Sequence, residues 1–198
     1  MTVVPQTDEW HAPKEWPVPP PGGYVAEDLD KLPNLPPHTE LIDGSLVFVS
    51  PQTAFHVLVM RLLERRLVQA VPTELHVFRE MTVKLGPRDR PVPDLLVTRA
   101  EAYTGPGQTT YAPQDVVLAI EVVSADSEAR DRETKPRKYV EAGIPHFWRV
   151  EEETGLPVVH VFEREPTTRA YVATGIHRER LKASVPFPVD IDLTAIGP

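Results

Sequence analysis

A glutamate inside an apolar run is the residue of this sequence whose chemistry most needs an explanation. Glu121 lies within residues 117–124, Val-Leu-Ala-Ile-Glu-Val-Val-Ser. An ionised carboxylate in such surroundings costs several kcal/mol unless it is paired or coordinates a metal ion. The alternative is that Glu121 points outward from an edge strand. A nearly continuous apolar run is typical of a central strand that is covered on both faces, so the pattern favours a functional carboxylate.

A second carboxylate stands at the start of another apolar run, because Asp94 follows Pro93 and precedes Leu-Leu-Val. The alternative of a helix or turn cap is less favoured, since no helical pattern follows. Two carboxylates at the ends of adjacent strands could hold Mg²⁺, which takes oxygen ligands and keeps several waters. Such an ion can lower the pKa of a water and stabilise the charge of a phosphoryl group.

Three polar residues downstream of Glu121 are spaced by four: Asp131, Lys135 and Tyr139. On a helix they share one face, which is either an ordinary solvated salt-bridge face or the source of a lysine for the carboxylates. Pro136 disfavours helical geometry at the preceding residue. We therefore expect the helix to begin near Pro136, with Lys135 at its N-terminal end. Lys138, one turn further on, is the alternative lysine for the site.

The surrounding pattern predicts an α/β or α+β fold with a mixed sheet, in which a strand core has one helix before it and one after it. Asp43-Gly44 is a type I′ turn pair between two β-rich runs, which predicts a hairpin. The predicted elements are a short helix at 26–32, the hairpin at 40–49, a helix at 55–67, strands at 75–85, 92–98 and 116–123, a helix at 128–142, and strands at 147–150, 158–164 and 170–174.

Composition sets the outer limits of the fold. Nine of the 23 prolines lie in residues 1–37, so we expect residues 1–23 to be an extended or disordered arm and 24–198 to be a single domain. There is no cysteine, which excludes disulfides, thiolate zinc sites and cysteine nucleophiles. No apolar stretch is long enough for a membrane helix. The N-terminus has no apolar signal segment, so we expect a cytoplasmic protein.

The net charge of −8 counts against a protein that coats nucleic acid non-specifically. Its distribution softens that objection, because residues 1–45 carry two basic against eight acidic side chains. Residues 55–100 carry eight basic against five acidic, and residues 128–149 carry six against four. The basic segments are the ones that contain the helices beside the candidate carboxylates.

Taken in order, these motifs resemble the Uma2 family of bacterial proteins. The resemblance rests on the run Glu40-Leu-Ile-Asp-Gly, Ser50-Pro51 with His56, Pro93-Asp94, Glu121-Val-Val-Ser, and Asp131, Lys135, Tyr139, Gly143-Ile-Pro and Trp148. It covers about residues 24–165. The resemblance implies the restriction-endonuclease-like fold of the PD-(D/E)xK superfamily, a mixed central sheet flanked by helices.

The resemblance also implies a site. Asp94 and Glu121 would be metal ligands together with the Val122 carbonyl, and Glu40 would be an additional acid. In the wider superfamily a lysine stands two residues after the glutamate, where this chain has Val123. In the Uma2 pattern the lysine lies on the following helix, which indicates Lys135. Tyr139 and Asp131 would support it, and His56 is either a site residue or an exposed residue near a helix start.

The first hypothesis is therefore a Mg²⁺- or Mn²⁺-dependent nuclease acting on nucleic acid, with DNA the expected substrate. The second is a non-catalytic binding or regulatory protein that keeps the fold, which Val123 and the acidic total favour. A third is the processing of another phosphate-containing substrate. A homodimer is a possible assembly.

Overall fold

The computed structural model describes residues 18–197, which contain twelve strands, two α-helices and one π-helical turn. The helices are α1 (Ala54–Ala70) and α2 (Lys135–Glu141), and the π-helical turn is Arg130–Thr134. The strands are β1 (Glu40–Ile42), β2 (Ser45–Val47), β3 (Leu75–Arg79), β4 (Thr82–Val83), β5 (Leu95–Arg99), β6 (Thr110–Tyr111), β7 (Val116–Val122), β8 (His146–Glu153), β9 (Leu156–Arg164), β10 (Tyr171–His177), β11 (Arg180–Ala183) and β12 (Val189–Asp192).

The main sheet has six strands in the order β10-β9-β8-β7-β5-β3. Its strand pairs are antiparallel except β7 and β8, which run parallel because the π-helical turn and α2 connect them. The predicted mixed sheet is therefore confirmed. The strand that carries Glu121 is an interior strand with β5 and β8 on its two sides.

Side chains of β7 alternate between the two faces of this sheet. Leu118 and Ile120 pack with the buried side of α1. Ala119 packs on the opposite face, in a cluster that contains Tyr139 of α2. Glu121 is two residues after Ala119 on the strand, so its side chain points to the same face of the sheet. Because both faces are covered, the carboxylate has no route to bulk solvent except past the end of the strand.

Helix α1 confirms the amphipathic helix expected at 55–67. The Thr53 side chain caps it by accepting a hydrogen bond from the His56 backbone N–H. Its buried side consists mainly of Val59, Leu63 and Leu67. The cap fixes the first turn of the helix and so brings His56 to the end of the sheet.

The second helical segment differs from the expected helix at 128–142. A π-helical turn precedes α2, and the Lys135 N–H bonds to the Arg130 carbonyl five residues earlier. Pro136 lies in the first turn of α2, where its missing N–H costs little. The wider π-helical turn accommodates the proline, and Lys135 keeps helical dihedrals that a residue before proline usually avoids.

The N-terminal hairpin also forms as predicted. Asp43 and Gly44 both have positive φ, as a type I′ turn requires. Leu41 of β1 exchanges backbone hydrogen bonds with Arg90. Lys138 donates to Asp43 at 2.6 Å, which ties the turn of the hairpin to α2. These contacts hold β1, and with it Glu40, beside the main sheet.

Two expectations about elements were wrong, and one pair of strands was missed. Residues 26–32 contain only a 3-10 turn, Ala26–Asp28. The strand expected at 75–85 is interrupted at Glu80, whose φ is +53°, and the chain resumes as β4. The antiparallel pair β11 and β12 was missed, although Leu181, Val189 and Ile191 close one side of the core. No helix in the described part of the chain is long and apolar enough to cross a membrane.

The expected arm lies mostly outside the described residues, and the prediction about it stands. Within the described part, residues 18–22 are exposed, whereas Tyr24 is buried and its N–H bonds to the Gly44 carbonyl.

Deleting residues 1–23 should change the melting temperature by less than about 2 °C, because that is the shift expected for a loss well below 1 kcal/mol in a domain of this size. Thermal unfolding of the truncated and full chains makes the comparison, and a drop of many degrees would mean that the arm is packed.

Candidate active site

The carboxylate of Glu121 is bound on both of its oxygens by side chains from α2. Lys135 Nζ donates to Glu121 Oε2 at 3.0 Å, and the Tyr139 hydroxyl donates to Oε1 at 2.5 Å. Glu121 is only 1% exposed, and Tyr139 is fully buried. The spacing of Lys135 and Tyr139 places them one helical turn apart on the face of α2 that meets the sheet.

The ammonium of Lys135 is shared by three carboxylates. Besides Glu121, Glu40 Oε1 lies 2.8 Å from Lys135 Nζ, and Asp131 Oδ1 lies 3.3 Å from it. Glu40 reaches the ammonium from β1 and also accepts the backbone N–H of Val92. Asp131 Oδ1 lacks hydrogen-bond alignment and is a buried oxygen with no donor among the described residues. The cluster therefore holds more negative charge than one ammonium neutralises.

Asp94 is held at the end of the neighbouring strand. Its Oδ2 accepts the Val122 backbone N–H at 2.6 Å, and His56 Nε2 lies 3.0 Å from its Oδ1. An ionised carboxylate only accepts, so the imidazole is the donor. Continuing the register of β5 and β7 by one residue sets Asp94 opposite Glu121. Both carboxylates line one cavity, as predicted for a shared site.

The pKa shifts follow from this crowding of charge. Burial raises the pKa of the Glu121 carboxyl well above its ordinary value, although the Lys135 ammonium opposes the shift. Burial likewise raises the pKa of Asp131. Burial alone would lower the pKa of Lys135, but Glu121, Glu40 and Asp131 raise it well above its usual range. Burial and the Glu121 carboxylate raise the pKa of the Tyr139 phenol.

A cavity of about 120 Å³ opens onto these groups. Its walls are the loop that leads into α1 and the loop between β7 and the π-helical turn. One water occupies roughly 30 Å³ of liquid, so the cavity has room for a few waters or for a partly hydrated ion. The residues on its floor are Glu40, His56, Asp94, Glu121, Asp131 and Lys135.

The donor chemistry suits a hard divalent cation. Three carboxylates contact the Lys135 ammonium and Asp94 lines the same cavity, which leaves a formal charge of −3 if all four acids are ionised. Carboxylate oxygens are the ligands that Mg²⁺ prefers. In the described part of the chain no three acidic or histidine side chains already stand in a metal-holding arrangement. The Lys135 ammonium lies among the acids in that place, so a bound ion would share the carboxylates with it or displace it.

The structure brings together almost all the residues expected at the site. Glu40, His56, Asp94, Glu121, Asp131, Lys135 and Tyr139 meet as described, and Val122 is linked to Asp94 by its N–H. Lys138 does not join them, because its ammonium contacts Asp43 and Asp89 at 2.6 and 2.8 Å. The lysine that contacts Glu121 is therefore Lys135 and not Lys138. The cavity is also lined by Arg130, which belongs to the basic stretch 130–138 that the sequence indicates for phosphate contacts. Sequence reasoning missed Ser127, and its position four residues before Asp131 was the available signal.

Replacing Lys135 with methionine should destabilise the protein by about 3–5 kcal/mol, because buried carboxylates lose their counter-charge. The matched control is R137M on the same helix. Arg137 is exposed and does not line the cavity, so its loss should cost about 0.5 kcal/mol or less. Urea unfolding at pH 7 measures both. Equal losses in the two variants would show that the cluster does not depend on Lys135.

Glu121→Gln should change how stability depends on pH. The pKa of Glu121 is raised in the folded state, so between the unfolded and the folded pKa the native protein holds a proton that the unfolded chain has released. Above the folded pKa, Glu121 is the ionised partner of Lys135. Its contribution to stability is present below the unfolded value of 4.5 and is lost as pH rises through the folded pKa. The free energy of unfolding of E121Q, followed by urea titration from pH 5 to pH 8, should therefore fall less than that of the wild type. A steeper fall in E121Q would contradict the raised pKa.

Comparisons with known proteins identify relatives of this chain by fold and by family. A crystal structure from Anabaena variabilis, described as "a putative nuclease belonging to DUF820", superposes with a TM-score of 0.63 at 17% identity. The match covers 87% of this chain and 96% of that one. At such identity it establishes a shared fold. Among curated proteins none matches.

A family model gives the more specific result. It matches residues 26–195, which include every strand and helix described above and every side chain of the buried cluster. The match thus spans the domain and its candidate site together. The chain belongs to the Uma2 family, whose description is "Putative restriction endonuclease".

Proposed function

We propose that this protein is a divalent-metal-dependent nuclease that hydrolyses phosphodiester bonds of nucleic acid, with DNA as the expected substrate. The observation that carries the proposal is the cluster of three buried carboxylates around Lys135, with Asp94 as a fourth acid on the same open cavity. A purely structural ion pair does not need four acids at the base of a cavity. The family description and the description of the Anabaena variabilis protein support the same activity.

We further propose that Asp94, Glu121 and the Val122 carbonyl hold Mg²⁺ or Mn²⁺. Asp131 Oδ1 meets the Lys135 ammonium without a hydrogen bond, and the formal charge is −3 if all four acids are ionised, which supports a site that is short of positive charge. When bound, such an ion would activate a water and neutralise charge on the phosphoryl group. Glu40 would remain the partner of Lys135 once Glu121 is shared with the ion.

The chain's own residues then have distinct roles. His56 holds Asp94 through Oδ1 and the Val122 N–H holds it through Oδ2, which fixes the direction of this carboxylate. Tyr139 does the same for Glu121. The raised pKa of Lys135 keeps its amine protonated. Lys135 would therefore orient the attacking water and stabilise the charge of the transition state instead of removing a proton.

The overall reaction consumes one water. Its oxygen bonds to phosphorus, the bond from phosphorus to the leaving oxygen breaks, and that oxygen takes up a proton. The low-dielectric floor of the cavity strengthens each electrostatic contact to the phosphate. The arrangement therefore supplies positioning and charge stabilisation, the two contributions that phosphoryl transfer mainly requires.

The second candidate is a binding or regulatory protein without useful catalysis. The observation in its favour is that Lys135 is engaged by three carboxylates, at 2.8, 3.0 and 3.3 Å. A lysine so fully paired has no free direction for a substrate unless an ion displaces it. The two candidates therefore differ in whether a divalent ion enters the cluster.

Asp94→Ala should lower cutting of DNA by more than about 100-fold in Mg²⁺ or Mn²⁺. Loss of a residue that only hydrogen-bonds to a metal ligand costs about 10–100-fold, and loss of a ligand itself should cost more. Binding of DNA should persist, since one carboxylate fewer reduces repulsion. The matched control is D126A, which removes an exposed acid from the wall of the same cavity. Nicking and cutting of single- and double-stranded DNA and RNA would be measured on gels.

A second readout on the same variants is independent of cutting. Mn²⁺ at about 100 times its dissociation constant should raise the melting temperature of the wild type and D126A by roughly 5–10 °C. D94A should show little of this shift. Ion-induced stabilisation without any cutting of DNA or RNA would favour the binding protein. If Mn²⁺ does not stabilise the wild type and the wild type does not cut DNA or RNA, the proposed function is wrong.

A further inference from the structure

Arg130 stands on the wall of the cavity that contains the carboxylate cluster. It is half-buried, and its Nε is a buried donor with no hydrogen-bond partner among the described residues. It forms no ion pair with a described acid, although Asp131 is its neighbour in the chain. A buried donor without a partner costs about 1–3 kcal/mol, so its position beside the site needs an explanation.

The other basic residues of this segment are already engaged or lie away from the cavity. Arg132 pairs with Glu128 and Glu151, both at 2.6 Å. Lys135 is surrounded by carboxylates, and Lys138 is bound to the hairpin turn and Asp89. Arg137 is exposed and does not line the cavity. Within the described residues, Arg130 is the basic residue of the cavity wall that forms no ion pair with an acidic side chain.

The backbone accounts for this placement. The Arg130 carbonyl accepts the Lys135 N–H in the π-helical turn. The same turn therefore directs Lys135 to the floor of the cavity and leaves Arg130 on its wall. π-Helical turns of this kind occur frequently at functional sites.

The charge balance points to what Arg130 would bind. The four carboxylates and Lys135 carry a formal charge of −3 when all are ionised. A divalent ion would leave −1 on the cluster. The guanidinium of Arg130 lies on the same wall as the exposed Asp126, so it offsets that acid and reduces the repulsion that a phosphodiester anion meets. A guanidinium is also the side chain best suited to phosphate, because its donors match two oxygens at once.

We infer that Arg130 is a substrate-binding residue that donates to a non-bridging oxygen of the phosphodiester from the cavity wall. This inference rests on the proposed function and adds to it a contact outside the carboxylate cluster. The Arg130 Nε thereby acquires the hydrogen-bond acceptor that it lacks among residues 18–197. It holds the phosphate over the cluster and contributes to charge stabilisation during the reaction.

The experiment compares R130Q, R130K and R132Q with the wild type. R130Q and R132Q remove the same charge two residues apart, but Arg132 is already paired with acids and does not line the cavity. The first readout is binding of bis(4-nitrophenyl) phosphate in Ca²⁺, followed by ³¹P NMR titration. R130Q should weaken binding by about 10- to 100-fold, the effect of losing a hydrogen bond to a charged group. R130K should recover part of the loss, and R132Q should bind like the wild type.

The second readout is the single-turnover rate of DNA cutting in Mn²⁺, which should fall by about 100-fold in R130Q and little in R132Q. The Mn²⁺-induced rise in melting temperature should be kept in R130Q, which shows that the variant is folded and holds the ion. If R130Q binds the probe and cuts DNA as well as R132Q does, the inference is wrong while the nuclease function stands. If the wild type neither binds the probe nor cuts, the proposed function fails and the inference fails with it.

Discussion

The buried ion pair between Glu121 and Lys135 is the interaction on which the arrangement of the rest depends. An isolated carboxylate in the centre of a sheet would be strongly unfavourable, so β7 can carry Glu121 only if α2 delivers a cation to it. The π-helical turn that precedes α2 leads into Lys135, the residue that supplies this cation, and Pro136 is tolerated because it lies in the first turn of α2. The need for this cation also explains why β1 lies where it does, since Glu40 shares the same ammonium.

Replacing such a network with apolar residues is often neutral or stabilising, so stability alone does not account for it. The cluster has four acids, one ammonium and an open cavity above it, and burial raises the pKa of both Glu121 and Asp131. A site built only for stability would balance its charges internally. The unbalanced charge is better explained by cations that arrive from outside, and the unpartnered donor of Arg130 by an anion that follows them.

The sequence was enough to predict the strand with Glu121, the helix that begins at Ala54 and the hairpin turn at Asp43-Gly44, because each has a strong local pattern. It also indicated that Lys135 meets Glu121, through a four-residue spacing on one helix face. The sequence could not decide between Lys135 and Lys138. The π-helical turn determines which side chains of α2 face Glu121, and no local sequence pattern predicts such a turn. β11 and β12 were missed because each is four residues long and is stabilised by the core beneath it.

The central claim is that a divalent ion enters the carboxylate cluster between Asp94 and Glu121. A crystal structure with Mn²⁺, measured at a wavelength where manganese scatters anomalously, tests that claim most directly. The account predicts an anomalous peak within coordinating distance of both carboxylates, roughly 2.0–2.3 Å from their oxygens, with the Lys135 ammonium moved away from Glu121. A crystal saturated with Mn²⁺ that shows no peak there, and Lys135 still bound to Glu121, would contradict it.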